Sequence, residues 1–239
     1  MEKLTPKYKR VLIKLSGEAL AGKAGHGLDG EVISRVVEEI KKIHGMGVQI
    51  ALVIGAGNFW RGRQGTQMDR STADYMGMIA TVMNSLAMTE ALESAGVSAR
   101  VQSAIAMPAV AETYVLKQTL SHLAEGRVVI IAGGTGHPYC STDTAAALRA
   151  CEIQADMLLM AKNVDGIYDS DPKLNPNANK YDHINYLDIV KNGIKAMDYT
   201  AATMCMENNI PALAFALDEK DSLIKAVCGV KIGTLIDNK

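Results

Sequence analysis

Short aliphatic runs recur along the chain, each separated from the next by room for a helix, and this alternation restricts the fold more than any other feature. The runs are Val11–Leu15, Val48–Ile54, Val97–Val101, Val128–Ala132, Met157–Ala161 and Ala212–Ala216, with a late one at Lys231–Ile236. Several are apolar at successive positions, as strands are when both faces of a mainly parallel sheet are covered. Helical patterns fall between them at Gly30–Met46, Thr72–Ala95, Glu112–Ala124, Asp143–Ile153 and Asp218–Val227. The reading is α/β, with helices on both faces of the sheet. No repeat or low-complexity linker divides the 239 residues, so 1–239 reads as a single domain with the polar segment "DSDPKLNPNANKYDH" as a surface excursion.

Hydrophobic residues at 48% against 21% charged allow a substantial core and exclude a disordered chain. The net charge of −1 argues against broad electrostatic binding to nucleic acid or to an anionic membrane, while leaving room for a local basic site that holds a small anion. Cys140, Cys151, Cys205 and Cys228 are far apart and form no C-x-x-C pair, which fits a reducing cytoplasm better than a disulfide framework or a zinc site. "MEKLTPKYKR" lacks a signal peptide's apolar stretch, and no run approaches the roughly 20 apolar residues of a membrane span. The expectation is a soluble, cytoplasmic protein.

The stretch "VLIKLSGEALAGKAGHG" comes close to the phosphate-binding P-loop G-x-x-x-x-G-K-[ST], but Ala24 stands where the Mg²⁺-binding hydroxyl belongs. Either this is a damaged P-loop or phosphate is handled in another way, and three glycine-containing loops after strands offer one. They are "KLSG" (Lys14–Gly17), "GAGNFWRG" (Gly55–Gly62) and "GGTGHPYCSTD" (Gly133–Asp143). In an open parallel sheet all three converge beyond the carboxyl ends of the strands, where ligands bind.

"GAGNFWRG" is not the dinucleotide fingerprint, because Trp60 replaces the third glycine; Arg61 adds a donor fork suited to phosphate, and Trp60 reads as a packing or interface residue rather than a base-stacking platform. Ser141-Thr142-Asp143 open an alanine-rich helix, and a helix N-terminus attracts phosphate. Asp143 would repel phosphate, so it reads as a group that positions Mg²⁺ or orients a lysine. Neither Cys140 nor the five histidines show a catalytic or metal-ligand setting. "KNVDGIYDSDP" (Lys162–Pro172) is a turn whose Tyr168 and Asp171 could grip an adenine or ribose. The helix at Thr72–Ala95 has one apolar face through Met76, Ile79, Met83, Ala87 and Ala91 and another through Met78, Val82 and Leu86. So wide a surface suits either a central helix or a Met-rich subunit interface.

"KLSGEAL", "GAGNFWRG", "DYMGM", "TGHPYCSTDTAA", "NVDGIYDSDP" and "MDYTAATM", in this order and spacing, resemble the bacterial-type uridylate (UMP) kinases of the amino acid kinase family. The resemblance runs through the whole chain to the terminal "GTLI" and implies a three-layer α/β/α sandwich with a mainly parallel central sheet, not a P-loop fold, assembled as a homohexamer. It implies transfer of the γ-phosphoryl group of ATP to UMP in pyrimidine nucleotide biosynthesis, with Mg²⁺ carried by ATP near Asp143 and no dedicated metal site in the protein. The catalytic residues implied are Lys14, Arg61 and Asp143. ATP would be held by Lys14, Leu15, Ser16, Gly17, Gly57 and Arg61, with Lys162 or Asn163, Tyr168 and Asp171 on its adenosine part.

By the same resemblance UMP would meet Ala56, Asp74, Thr135, Gly136, His137, Pro138, Tyr139, Cys140, Ser141 and Thr142. Ala56 is a departure, since many relatives carry glycine there. The segment Gly22, Lys23, Ala24, Gly25, His26 and Gly27 corresponds to one linked in the family with GTP activation, and UTP inhibition is a family trait. Asp198 is open between a catalytic role and a helix cap. Two alternatives remain at this level: a family member that phosphorylates carbamate or an amino-acid carboxylate, and a nucleotide-sensing protein without turnover.

Overall fold

In the computed structural model, which describes residues 4–60, 67–172 and 174–239, a nine-stranded sheet runs through the molecule. Its strands are β1 (Arg10–Leu15), β2 (Gln49–Ile54), β3 (Ala99–Ser103), β4 (Glu112–Thr113), β5 (Val128–Ala132), β6 (Met157–Lys162), β9 (His183–Asn185), β10 (Ala212–Ala216) and β11 (Thr234–Asp237). The order across the sheet is β4-β3-β5-β2-β1-β6-β10-β11-β9, with every neighbouring pair parallel except β10 and β11. A separate antiparallel pair joins β7 (Ile167–Tyr168), just before the polar segment read as a surface excursion, to β8 (Lys180–Tyr181) within it.

The helices are α1 (Gly17–Leu20), α2 (Gly30–Gly45), α3 (Arg70–Ser94), α4 (Leu116–Ala124), α5 (Thr142–Glu152), α6 (Tyr186–Asn192), α7 (Tyr199–Glu207) and α8 (Ser222–Val227). Alternation along the strands assigns them to two layers. On one face Val11, Ile13 and Leu15 join Ile50, Leu52 and Ile54 under Ile40 of α2, Leu92 of α3 and Leu223 of α8. On the other, Leu12, Val53, Leu158 and Met160 meet Ala146 and Ala150 of α5, Ile189 of α6 and Cys205 of α7. Each fully buried Leu or Ile of these layers contributes about 1.5–3 kcal/mol. The result is the expected α/β/α sandwich around a mainly parallel sheet.

Several boundaries differ from expectation for local reasons. Glu112–Thr113 is a strand stub paired with Gln102 and Ser103, so α4 starts only at Leu116. Asp221 adopts a left-handed conformation (φ 57°), which delays α8 to Ser222. Gly233, at φ 60°, places the start of β11 at Thr234 rather than Lys231. A methyl group at Gly233 would run into the Ala214 carbonyl oxygen and stand 2.9 Å from Phe215 Cβ. Gly233→Ala is therefore expected to cost on the order of 3 kcal/mol, from left-handed strain plus overpacking, read as a lower urea midpoint.

Helix α3 buries one apolar face and exposes the other, except that Leu86, read on the face of Met78 and Val82, is exposed. Met78, Val82, Met88 and Leu92 are buried, whereas Tyr75, Met76, Ile79, Met83 and Leu86 are exposed.

Candidate active site

Strands β2, β1 and β6 lie side by side and point the same way, with Lys14 level with Val53 on one side and Met160 on the other. After β5 the chain crosses beneath this trio through α5 and returns as β6 on the far side of β1. This change of direction is the switch point at which open α/β sheets bind ligands. It gathers the loops after β1, β2 and β6 and the N-terminus of α5 at one edge.

The loops after β1 and β2 touch. The Gly55 N–H donates to the Leu15 carbonyl (2.9 Å). A methyl on Gly17 would clash with the Gly55 carbonyl oxygen and stand 2.6 Å from Asn58 Oδ1 and 2.8 Å from the Gly57 nitrogen. Only a residue without Cβ lets the first turn of α1 sit this close to the Gly55–Asn58 turn.

Lys14 Nζ lies 3.0 Å from Asp143 Oδ1, with the two side chains 13% and 19% exposed. Burial works against the Asp143 carboxylate, but the Lys14 and Lys162 ammonium groups and a hydrogen bond from Lys14 outweigh it and hold its pKa below the ordinary value. Lys162 ends β6, is half-buried, and donates from Nζ to the Ala196 carbonyl. Burial lowers its pKa; Asp143 opposes that shift and Lys14 adds to it. Two cations thus flank one carboxylate at the strand ends. Sequence reasoning placed Lys162 only beside the nucleotide. The available signal was a lone lysine closing an apolar strand, the same pattern as Lys14 in "VLIKL".

Ser141 is the N-cap of α5, its Oγ accepting from the N–H groups of Asp143 (3.0 Å) and Thr144 (3.1 Å). The same hydroxyl donates to Asp198, and Thr144 Oγ1 lies 3.0 Å from both Asp198 carboxylate oxygens. Asp198 also accepts from the Ala201 N–H (2.9 Å) as the N-cap of α7. It therefore ties the N-termini of two helices and fixes the pitch of α5, hence the place of Asp143.

Beyond β6, Lys162, Val164, Tyr168, Asp171 and Pro172 with Gly193 and Lys195 line a cavity of about 500 Å³. Asn163 is exposed and is not part of that lining. Tyr168 donates its hydroxyl to Asp165 (2.7 Å), which also pairs with Lys180 (3.0 Å), so the turn is braced against β8.

On the opposite side the loop 135–142 folds over α3. Thr135 Oγ1 donates to the His137 carbonyl (3.1 Å), and the Tyr139 N–H donates to Asp74 Oδ2 (2.8 Å). Tyr139 has φ 68°, and the Arg70 guanidinium lies 4.8 Å from its ring centre. Gly136, Pro138 and Cys140 belong to the same loop, the Cys140 thiol being free and exposed. Ala56 lies buried in the turn after β2, and Trp60 donates Nε1–H to the Ala73 carbonyl (2.8 Å), packing on α3. Arg61 lies outside the described residues.

The near-P-loop is a short 3-10 turn at Gly22–Ala24 following α1, with Lys23 exposed. This segment, Gly22 to Gly27, joins the site at one end: Gly27 N–H donates to the Asn58 carbonyl (3.0 Å), and Asn58 Nδ2 donates to the Gly27 carbonyl (2.7 Å). Among the described residues no three Asp, Glu, His or Cys side chains cluster as a metal site, and no helix is long and apolar enough to cross a membrane.

Residues 9–215 match the sequence model of the amino acid kinase family. The chain belongs to the amino acid kinase family. Among solved structures it is similar to the UMP kinase of Bacillus anthracis, at 38% identity and a TM-score of 0.93, with 97% of each chain covered. It is also similar to the UMP kinase of Ureaplasma parvum, at 37% identity and TM-score 0.91, covering 97% of this chain and 100% of the other. The uridylate kinase of Archaeoglobus fulgidus follows at 27% identity and TM-score 0.72, covering 95% and 99%. As an amino acid kinase the protein is an ATP-dependent phosphotransferase. Its Lys14–Asp143–Lys162 cluster lies at the carboxyl ends of β1 and β6, beside the N-terminus of α5.

Proposed function

We propose that the protein transfers the γ-phosphoryl group of ATP to UMP, giving ADP and UDP, as a step of pyrimidine nucleotide synthesis in the cytoplasm. The observation that carries this reading is the pair of ammonium groups around Asp143, between the cavity at Tyr168 and the loop 135–142. Two polyanions meet in such a reaction, so the site must supply positive charge along the line of transfer. The nucleophile is a phosphate oxygen whose second pKa is about 6, so at neutral pH it is already ionised and no general base is needed. That agrees with a site that offers cations and amide groups rather than a nucleophile–base pair.

In this reading Leu15 to Gly17, Gly57, Lys14 and Arg61 hold the ATP phosphates, and the cavity bearing Lys162, Tyr168 and Asp171 takes the adenosine. Ala56, Asp74 and the loop 135–142 receive UMP. Asp143 keeps Lys14 and Lys162 oriented. Mg²⁺ bound to the ATP phosphates would neutralise charge that develops on the transferred group. The residues fit that cation: an ionised, partly enclosed carboxylate stands at the site. The whole chain, 1–239, acts as one catalytic unit. The exposed apolar face of α3, through Met76, Ile79 and Met83, suits contact between copies in a homohexamer. Gly22–Gly27 is the candidate segment for GTP activation, and UTP is the candidate inhibitor.

The test is direct chromatography of ADP and UDP after incubation with ATP, Mg²⁺ and UMP, with CMP, dUMP, carbamate and acetylglutamate in parallel, each with and without GTP. UDP formed from UMP in preference to the other acceptors supports the reading. ADP formed only with carbamate or acetylglutamate overturns the substrate.

A pH profile gives a second check. Lys162 must carry its charge to act, and burial lowers its pKa below the ordinary lysine value of about 10.4. As pH rises through that lowered pKa the cation is lost, so kcat/KM for ATP should fall earlier on the alkaline side than an ordinary lysine dictates. Lys162→Arg, which stays charged, should carry the limb to higher pH. An alkaline limb at or above the ordinary lysine value would remove Lys162 from the reaction.

A further inference from the structure

The turn after β2 is held from behind by a pair of buried asparagines. Asn84, in the middle of α3, is fully buried, and Asn58 is nearly so. Asn84 Nδ2 donates to the Gly55 carbonyl (2.7 Å) and to Asn58 Oδ1 (2.8 Å). Asn58 Nδ2 donates in return to Asn84 Oδ1 (2.8 Å) and to the Gly27 carbonyl (2.7 Å). Both N–H bonds of each amide group are used. Flipping either amide would set oxygen against oxygen, so the chemistry itself fixes their orientation.

The consequence falls on Gly55–Asn58. A trans peptide directs its C=O and the following N–H to opposite sides, and the described residues contain no cis bond. With the Gly55 carbonyl drawn to Asn84, the Ala56 N–H faces away from α3. Neither Ala56 nor Gly57 donates its N–H within the described residues. The Gly57 nitrogen would stand 2.8 Å from a Cβ on Gly17, at the end of β1 that carries Lys14, while the Ala56 N–H is turned to the other side of the same turn.

We propose that Asn84 is a positioning residue for phosphoryl transfer. Through Gly55 and Asn58 it locks the turn after β2 in the shape that offers the Ala56 and Gly57 amides to phosphate groups. It touches no substrate itself. The proposal rests on the phosphoryl-transfer reading above, and it makes the reciprocal amide pair the connection between α3, Gly27 and the phosphate-facing turn.

The discriminating variant is Asn84→Asp, which keeps size and shape but replaces two donors by a carboxylate facing the Gly55 carbonyl and Asn58 Oδ1. Burial raises the pKa of such a carboxyl, and once protonated it can donate to the Gly55 carbonyl again. The expected result is a kcat/KM about 100-fold below that of the unaltered protein at pH 8, the scale of a small misplacement of binding groups. The variant-to-parent ratio should climb as pH is lowered to 6, with both proteins folded by circular dichroism at the assay temperature. A folded Asn84→Asp with a ratio near one, or with a low ratio that does not change with pH, overturns the proposal.

If Asn84→Asp does not fold, Asn84→Ser, which leaves room for water, is measured instead. About a 10-fold loss in kcat/KM with an intact fold supports the proposal, and parental kinetics overturn it. Titration calorimetry with ATP is run on every protein. A parent that binds ATP but makes no UDP refutes the function reading alone, and the proposal is then judged on whether ATP binding weakens about 10-fold in the variant.

Discussion

Lys14→Ala should lower kcat for UDP formation by two to three orders of magnitude, the cost of removing one preorganised charge donor from a developing transition state (about 10²–10³-fold). Lys14 is the one side-chain cation that β1 itself delivers to the strand ends, 3.0 Å from Asp143. Its contribution grows as negative charge spreads over the transferred group, so the loss belongs in kcat. The KM for UMP, set mostly by other contacts, should change only a few-fold. Asp143 keeps a second cation nearby in Lys162, so the fold should survive the change. Lys14→Arg should not restore the rate, because a bulkier planar fork cannot stand where a compact point charge stood. Steady-state kinetics on both variants decides the matter, and an unchanged kcat in Lys14→Ala excludes Lys14 from the chemistry.

Asp143→Asn should be nearly as damaging, for a different reason. The carboxylate is the counter-charge of two ammonium groups, one of which is already pushed toward its neutral form by burial. Without it, Lys14 and Lys162 repel, and Lys162, whose pKa burial already lowers, sheds its proton more readily. We expect kcat/KM at pH 8 to fall about 100-fold, with the alkaline limb displaced to lower pH than in the unaltered protein. The Mg²⁺ titration should shift as well, and an identical titration would take Asp143 out of the metal's reach.

Stability should follow the same carboxylate. Its folded-state pKa is depressed, so the stability it contributes is present above the ordinary carboxylate value near 4 and is lost as pH falls through the lowered one. Asp143→Asn should therefore be less stable than the parent at pH 7, and the gap should close in acid. Urea melts at pH 7 and pH 3 measure it.

The central strands were legible to within a residue or two because burial on both faces leaves an unbroken aliphatic run. Val128–Ala132 and Ala212–Ala216 match their observed limits. Elements ordered by distant partners left no such mark. Helix α7, "YTAATMCME", has an N-cap that also serves Ser141 and Thr144, more than fifty residues earlier in the chain. Strand β9 is three residues long and exists by pairing with β11. The loops proposed to carry phosphate chemistry were visible as glycine clusters, and the family motifs named most of their residues. What no local pattern shows is that residues 14, 143 and 162 share one charge cluster. That follows from the register of β1 with β6 and from the start of α5. Asn84 was hidden for a similar reason: its partners are backbone oxygens and an amide from another layer.

The sheet ends in two stubs, β4 with two residues at one margin and β9 with three at the other. A longer margin would leave a row of unpaired N–H and C=O groups able to capture a strand from a neighbouring molecule and so to grow without limit into fibres. Stubs this short deny that route. Side chains such as those exposed on α3 offer a different kind of surface, one that is used up once a matched face covers it.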